Sequence, residues 1–488
     1  MMTMRVLPAI TGFAATLLAP LLVHAQAQPW LGDRRFGGGI GIRTGNWELH
    51  PGIAGELGYD SNYFQASGEV TPATESLTIP NEFRPVLPGG ATFGATGFLN
   101  EPTIDTLRFR ITPSLTLNTL GPQRMSDGDA EAEPEPPKVS LQASLSASYN
   151  ELVALDSQYS EEVADRRFLS GDVGVAAEIL PQRPWGVGLS GQYTREVQPV
   201  NDPAAPPGYQ RSTFRAGGAL KWRPGGGLVE WSLGYDLAYI LFEDAGFSNF
   251  TSVGHTFRLK GRWLFLPRTA LLYSGEYGFL EYPDGGRVKP PGSPLSSILG
   301  INGLVTNHLG ALVMAGWKTM FFDRDEEFDS FIGNAELTWY PLPRADLAPE
   351  AAGVGLSSVS LGYRRDARAS YVGNYVQNDS AYLKGSYFFG GTVLASLEGS
   401  YDHLQRPPGF FSNLTQQTGE FSEDRISVTG FAEYRMSDTF GINTTLRYSG
   451  ALTDQLVPSS SDPGRARMPY DDMGFDRFEA WLGVRWFM

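Results

Sequence analysis

From Trp47 onward the chain alternates between apolar and polar positions in runs of about a dozen residues. Between Val139 and Tyr149 the odd positions read Val, Leu, Ala, Leu, Ala, Tyr, while Ser140, Gln142, Ser144, Ser146 and Ser148 hold the even ones. From Val229 to Leu241 the odd positions are Val, Trp, Leu, Tyr, Leu, Tyr and Leu, and Glu230, Ser232, Gly234, Asp236 and Ala238 lie between them. From Phe257 to Phe265 one parity is Phe, Leu, Gly, Trp, Phe and the other is Arg258, Lys260, Arg262, Leu264. A period of two over such lengths predicts strands rather than helices. The pattern predicts eighteen of them, at 47–60, 104–119, 138–151, 165–180, 184–197, 212–223, 228–243, 252–266, 268–282, 294–306, 308–322, 329–340, 355–365, 375–389, 391–405, 422–436, 438–452 and 474–488.

The uniformly apolar parity is long and aromatic-rich, which argues for lipid on that side. A lysine or arginine facing lipid near mid-bilayer costs about 2–4 kcal/mol, so Arg258, Lys260 and Arg262 place their parity against water. The connections alternate in length. Short ones fall at Gln182-Arg183, Pro224 to Gly227, Pro267, Asn307, Gly390 and Ser437-Asp438, and longer ones at 61–103, 152–164, 198–211, 283–293, 406–421 and 453–473. If the first strand runs outward, every short link lies on the periplasmic side, as in bacterial outer-membrane barrels. The expected fold is therefore all-β: a transmembrane antiparallel β-barrel of about 18 strands, preceded by a signal peptide. Phe478, Trp486, Phe487 and Met488 in the last segment are expected to close it against the first strand. A propeller would show a repeat of 40–50 residues, and none is present.

The N-terminus carries one charge, Arg5, before an apolar run from Val6 to Val23, followed by Ala25 and Ala27. This is the form of a secretory signal peptide. The expected division is 1–27 signal peptide, 28–46 a periplasmic lead, and 47–488 the barrel. The chain has no cysteine, which excludes disulfides and thiolate sites. A net charge of −15 disfavours nucleic acid as a partner. Mean hydropathy is only −0.20, an ordinary value, because alternate residues alone face lipid. Residues 120–137 and 341–354 are proline-rich links on the expected periplasmic side. They read as solvated linkers or as a docking surface.

Chemistry is sparse. His50, His255, His308 and His403 come from separate segments, and none sits in a hydrolase motif. No metal motif is present, and no cofactor or enzymatic activity is expected. Gly225-Gly226-Gly227 lacks the Lys-Ser/Thr of a phosphate loop and reads as a turn. The water-facing parity is the informative surface. It is expected to line a pore with Arg108, Arg110, Arg215, Lys221, Arg223, Glu230, Asp236, Arg258, Lys260, Arg262, Glu276 and Lys384. Two readings of these charges stand open: a cross-strand salt-bridge lattice that holds the wall, or a track for an anionic or hydroxyl-rich solute. Trp481, Tyr382 and Tyr340 are candidate inward aromatics. Barrels of sixteen to eighteen strands leave an aqueous channel.

Gly45-Asn46-Trp47-Glu48-Leu49-His50-Pro51-Gly52-Ile53, continued by Gly58-Tyr59-Asp60-Ser61-Asn62-Tyr63, resembles the first strand of outer-membrane barrels of exopolysaccharide systems. These include the β-barrel porins of exosortase-type loci and the barrels that work with Wza-type polysaccharide-export proteins. The resemblance covers about twenty residues and, as architecture, the whole chain. It implies a passive conduit for secretion of a polysaccharide across the outer membrane, with no catalytic residue. A general or substrate-selective diffusion porin is the alternative. The partners implied are outer-membrane lipid and lipopolysaccharide, the barrel-assembly machinery, and a periplasmic Wza-type export protein.

Overall fold

The computed structural model describes residues 41–65, 103–119, 138–197, 210–341, 357–410, 417–458 and 470–488, apart from interruptions of one to four residues. Eighteen strands form the wall. They are β1 Trp47–Asp60, β2 Thr106–Thr119, β3 Val139–Ala154, β4 Phe168–Ile179, β5 Trp185–Val197, β6 Gln210–Trp222, β7 Val229–Phe242, β8 Ser252–Leu266 and β9 Thr269–Glu281. They continue with β10 Gly292–Thr306, β11 Leu309–Phe322, β12 Phe328–Trp339, β13 Ser358–Ala369, β14 Tyr375–Phe389, β15 Val393–Arg406, β16 Phe421–Arg435, β17 Phe440–Leu452 and β18 Phe475–Phe487. Each strand pairs antiparallel with its sequence neighbours, and β18 returns to β1 from Gly52↔Phe487 to Asp60↔Glu479. The sheet is a closed barrel. Closure leaves no open edge, and in lipid an open edge would expose unsatisfied backbone groups at several kcal/mol each.

The alternation dictates which side faces out. Leu57, Leu233, Leu361 and Leu482 all point away from the barrel and are exposed. An apolar outer surface on this scale is unlike a soluble protein and suits a membrane. Four strands define its height. Counting along one parity, ten residues separate Trp339 from Asp329, Phe389 from Asp379, Tyr434 from Asp424, and Trp486 from Asp476. Ten residues at about 3.3 Å span about 33 Å of strand. A strand tilt of about 40° reduces that to about 25 Å, the height of the apolar band of outer-membrane barrels. At the upper boundary each aspartate accepts a hydrogen bond from an outward aromatic: Trp317 to Asp329, Tyr363 to Asp379, Tyr401 to Asp424 at 2.9 Å, and Tyr448 to Asp476. The chain is thus a bacterial outer-membrane barrel.

Periplasmic turns are tight, as the sequence predicts. Pro267-Arg268 and Asn307-His308 are two-residue links. Gly225 and Gly227 sit at φ +68° and +92° in the β6–β7 turn, where a side chain would be strained. The predicted links 120–137 and nearly all of 341–354 lie outside the described residues, as do the expected signal peptide and most of the lead. The described end of that lead is ordered into the sheet. Ile42–Thr44 turns at Gly45 (φ +57°) and pairs with Trp47–Leu49, below the point where β18 joins β1.

Candidate functional site

The luminal surface has three tiers. Nearest the periplasmic turns, the ends of β6, β7 and β8 and the β4–β5 link enclose a cavity of about 1000 Å³. Arg183, Lys221, Arg223, Lys260 and Arg262 line it. Register explains their convergence: Lys221 pairs with Ser232, and Ser232 pairs with Lys260 on the next strand. Glu178 lies 3.0 Å from Lys221 and 2.9 Å from Arg223. Glu230 lies 3.2 Å from Arg223 and 3.9 Å from Arg262. Lys260 and Arg183 are exposed to the cavity and make no ion pair among the described residues.

Above the cavity the wall is a charge lattice. Arg258 lies between strands, 3.0 Å from Asp236 and 3.6 Å from Glu276. Asp236 leans across β6 at Gly217, where a Cβ would stand 2.5 Å from its Oδ1. On the far wall Glu423 pairs with Arg425 and, at 3.3 Å, with Arg406. Glu433 joins Arg435 and Arg485 at the periplasmic ends of β16 and β18, level with the cavity. Lys384 stands 5.2 Å from the ring of Tyr382, whose hydroxyl donates to Glu336 at 2.7 Å. Arg215 is luminal and exposed but lies nearer the outer end, opposite Ala238, apart from the cavity.

The seam where β1, β2 and β18 meet is buried instead of wet. Arg477 (1% exposed) donates to Asp60 (0%) through two nitrogens and to Glu479 (2%) at 3.3 Å. Arg108 (8%) donates to Asp60 at 3.0 Å and to Glu479 at 2.9 Å. Trp481 lies over Gly58, with the Arg108 and Arg110 guanidiniums 4.7 and 4.4 Å from its ring. Arg110 also pairs with Glu56. Arg108 therefore has the expected parity but not the expected contact with water. Tyr63, Ile104, Leu152 and Val163 form an apolar cluster beside it, drawn from the wall and from the links at its outer end. Trp481 is enclosed by the two arginines, and Tyr340 is buried at the other end of the barrel.

The outer mouth is narrowed by the tip of the β13–β14 hairpin. The β12–β13 ladder ends at Gly333↔Arg365, although both strands continue. Beyond that point Ala367, Ala369 and Tyr375 pack on the luminal side chains Met320, Phe322, Phe328 and Ile332. These three carry outward parity, so the tip has folded into the lumen. Lys289, from the β9–β10 link and 3% exposed, donates to the backbone carbonyls of Ser370 and Gly373. Arg406 donates to Ser370 Oγ at 3.0 Å, and Asn374 to the Arg324 carbonyl at 2.9 Å. Burial, with a smaller effect of the nearby Arg406, lowers the Lys289 ammonium to about 7.

The histidines stay apart. His255 bonds Tyr235 and His403 bonds Asp424, both on the outward face. His308 lies in a periplasmic turn against Tyr340, and His50 beside the Met488 carbonyl. Phe478 and Trp486 face out, Phe487 is buried under Arg435 and Arg485, and the Met488 N–H donates to Pro51 at 3.0 Å. Sequence reasoning missed Lys289, the Arg406 latch and the Arg477–Asp60 pair. Each depends on partners more than thirty residues distant.

No protein-family model matches the chain, and no curated protein sequence does. Solved structures of similar shape include three from Pseudomonas aeruginosa. OpdQ is 11% identical, with 91% of this chain and 97% of that one covered and a TM-score of 0.41. OccK7 (OpdD) is 10% identical over 91% and 99%, with a TM-score of 0.44. OpdL is 12% identical over 91% and 99%, with a TM-score of 0.42. The closed eighteen-strand ladder itself establishes the fold.

Proposed function

We propose that the chain is a passive diffusion channel for small water-soluble solutes. The observation that supports this most is the contrast between its two ends. The periplasmic half is lined by charged and hydroxyl side chains around an open cavity. In the outer half, Val376 and Leu404 are fully buried against each other, and the β13–β14 tip packs on luminal side chains nearby. A polar path narrowed in this way suits small solutes. Purified protein in planar bilayers should give discrete conductance steps, and proteoliposomes should swell in mono- and disaccharides and not in larger dextrans. Liposomes that remain impermeable to every sugar while the protein is folded would refute the reading.

Export of a polysaccharide, which the first-strand resemblance implies, requires the β13–β14 tip to leave the lumen. Deleting the gene separates the two readings. An exporter's loss abolishes surface polysaccharide while synthesis continues, and a diffusion channel's loss leaves the surface polymer intact and slows solute uptake.

A further inference from the structure

We propose that the end of the β13–β14 hairpin is a strand-zipper gate. It closes the outer mouth by peeling off β12 into the lumen, and opens it by zipping back onto β12 in the wall. The inference rests on the channel reading and supplies the motion that regulates the same pore.

The ladders show where the wall parts. β11 and β12 stay paired up to Met320↔Phe328, and β13 and β14 up to Ala369↔Tyr375. Between β12 and β13 the pairing stops at Gly333↔Arg365, so residues 328–332 and 366–369 have no rungs to each other. On its other side the hairpin joins β15 only from Gln377↔Gln405. An intact hairpin end has thus left both of its neighbours. Asp329 marks the outer boundary of the apolar band, and Gly333 lies four residues below it, about 10 Å of height on a tilted strand. The parting is therefore confined to the outer end of the wall.

Both strands already carry a register to return to. Continuing from Gly333↔Arg365 sets Ile332 against Asp366, Phe331 against Ala367, Ser330 against Arg368 and Asp329 against Ala369. In that arrangement Ala367, Ala369 and Tyr375 recover the outward face that their parity assigns, with the exposed Phe331 beside Ala367. The alternation of the sequence is therefore satisfied only when the seam is zipped.

The two arrangements are closely matched. Four further rungs of an antiparallel pair supply about four backbone hydrogen bonds. The peeled tip has its own set: Lys289 to the carbonyls of Ser370 and Gly373, Arg406 to Ser370 Oγ, and Asn374 to the Arg324 carbonyl. It also gains the packing of Ala367, 1% exposed, in the cluster of Met320, Phe328 and Ile332. Zipping exchanges that apolar cover for lipid. Two packings of one segment with comparable bonding make a bistable element, and here one of them obstructs the lumen.

The test traps the zipped register. The chain has no cysteine, so Phe331→Cys with Ala367→Cys introduces a single pair. Zipped, the two stand directly opposite, about 4.5–5.5 Å apart between Cα atoms, within disulfide reach. Phe331→Cys with Ala369→Cys is the control, because its partners are diagonal neighbours about 7–8 Å apart. Mild oxidation of the folded protein in liposomes should cross-link the first pair many-fold faster than the second. Oxidised channels in planar bilayers should hold a conductance several-fold above that of the unlinked protein, and reductant should reverse the change. Ala367→Leu tests the same balance without a cross-link. The larger side chain overpacks the cluster when the tip is peeled and faces lipid when it is zipped, so the open-to-closed ratio should rise about ten-fold. Leu361→Ala, on the same face of β13 where the ladder to β12 is intact, should leave gating unchanged. Heat-modifiable migration on SDS gels confirms that each variant is folded. Cross-linking of the first pair no faster than the control overturns the zipper and leaves the channel reading standing. Cross-linking without a rise in conductance, or an Ala367→Leu channel that opens no more often, overturns its role as the gate. Absent conductance in every variant overturns the channel reading, and the cross-linking rates still decide whether the zipped register forms.

Discussion

Replacing Arg477 by methionine should be among the most damaging single changes in the barrel. Arg477, Arg108, Asp60 and Glu479 form a quartet, each member less than a tenth exposed, and Glu479 also meets the partly exposed Arg447 at 3.4 Å. Removing Arg477 deletes the two-nitrogen contact to Asp60 and the 3.3 Å contact to Glu479. Asp60 then keeps only Arg108 at 3.0 Å, which it shares with Glu479, and stays buried with half its charge partners gone. Breaking a buried pair in this way costs about 3–5 kcal/mol, because the partner stays buried and charged. Removing both members relieves that cost, so Arg477→Met with Asp60→Asn should recover at least half of the loss. Arg108 and Glu479, 2.9 Å apart, then remain as a balanced pair. The assay is urea unfolding of the reconstituted barrel, followed by tryptophan fluorescence and by heat-modifiable migration on SDS gels. A double-mutant cycle gives the coupling directly. A single-mutant loss below about 1 kcal/mol, or strict additivity in the double, would refute burial of the quartet.

Other consequences can be checked with the same preparations. Leu233→Lys, on the outward face of β7, should destabilise by about 2–4 kcal/mol, and Ser232→Lys one position away should fold, as measured by urea midpoints. Gly58→Ala should cost about 1–3 kcal/mol, since the new Cβ would stand 2.5 Å from the Trp481 ring, which then has to move; an unchanged midpoint would show that the indole does not lie there. Loss of Trp486–Met488 should prevent heat-modifiable barrel from forming, because it removes the lower rungs of the β1–β18 ladder. Lys289 gives a pH dependence. Its ammonium falls from 10.5 in the free chain to about 7 when packed, so between those values the unpacked segment binds more protons and packing strengthens as pH rises. Spontaneous current fluctuations should accordingly become rarer from pH 7 to 9, and Lys289→Met should flatten that dependence.

The barrel was legible because its strands obey one rule throughout. All eighteen alternating segments correspond to strands; Lys260 and Arg262 line the cavity, and Arg258 pairs with Asp236 and Glu276. Legibility fails where the rule is broken. Strand β13 runs to Ala369, four residues past its expected end, because Arg364-Arg365-Asp366 interrupts the apolar alternation. Beyond it the hairpin tip bends inward, and Ala367 is buried and Ala369 and Tyr375 partly buried on the face that their parity assigns to lipid. Periodicity reports the face of a strand and is silent on where the strand bends. Arg108 illustrates the other limit. Its parity is right, but its burial depends on Tyr63, Asp60 and Glu479, partners that only the register of closure brings together.

A structural lattice and a solute track call for different arrangements of charge along the axis. A lattice needs matched charge and short cross-strand distances, and Arg258 with Asp236 and Glu276 meets both conditions. A track needs cations that the wall does not consume, and these occur where the strands end. At the periplasmic turns a strand loses its next neighbour row, so Arg183, carried on the β4–β5 link, has no cross-strand carboxylate opposite it. Lys260 faces Ser232 and Ser274 instead of acidic residues because β7 and β9 place their carboxylates in the adjacent rows, at Glu230 and Glu276. Excess arginine occurs at the outer end as well, where Glu423 meets both Arg406 and Arg425; the cluster at the short turns differs in that Lys260 and Arg183 have no carboxylate partner among the described residues.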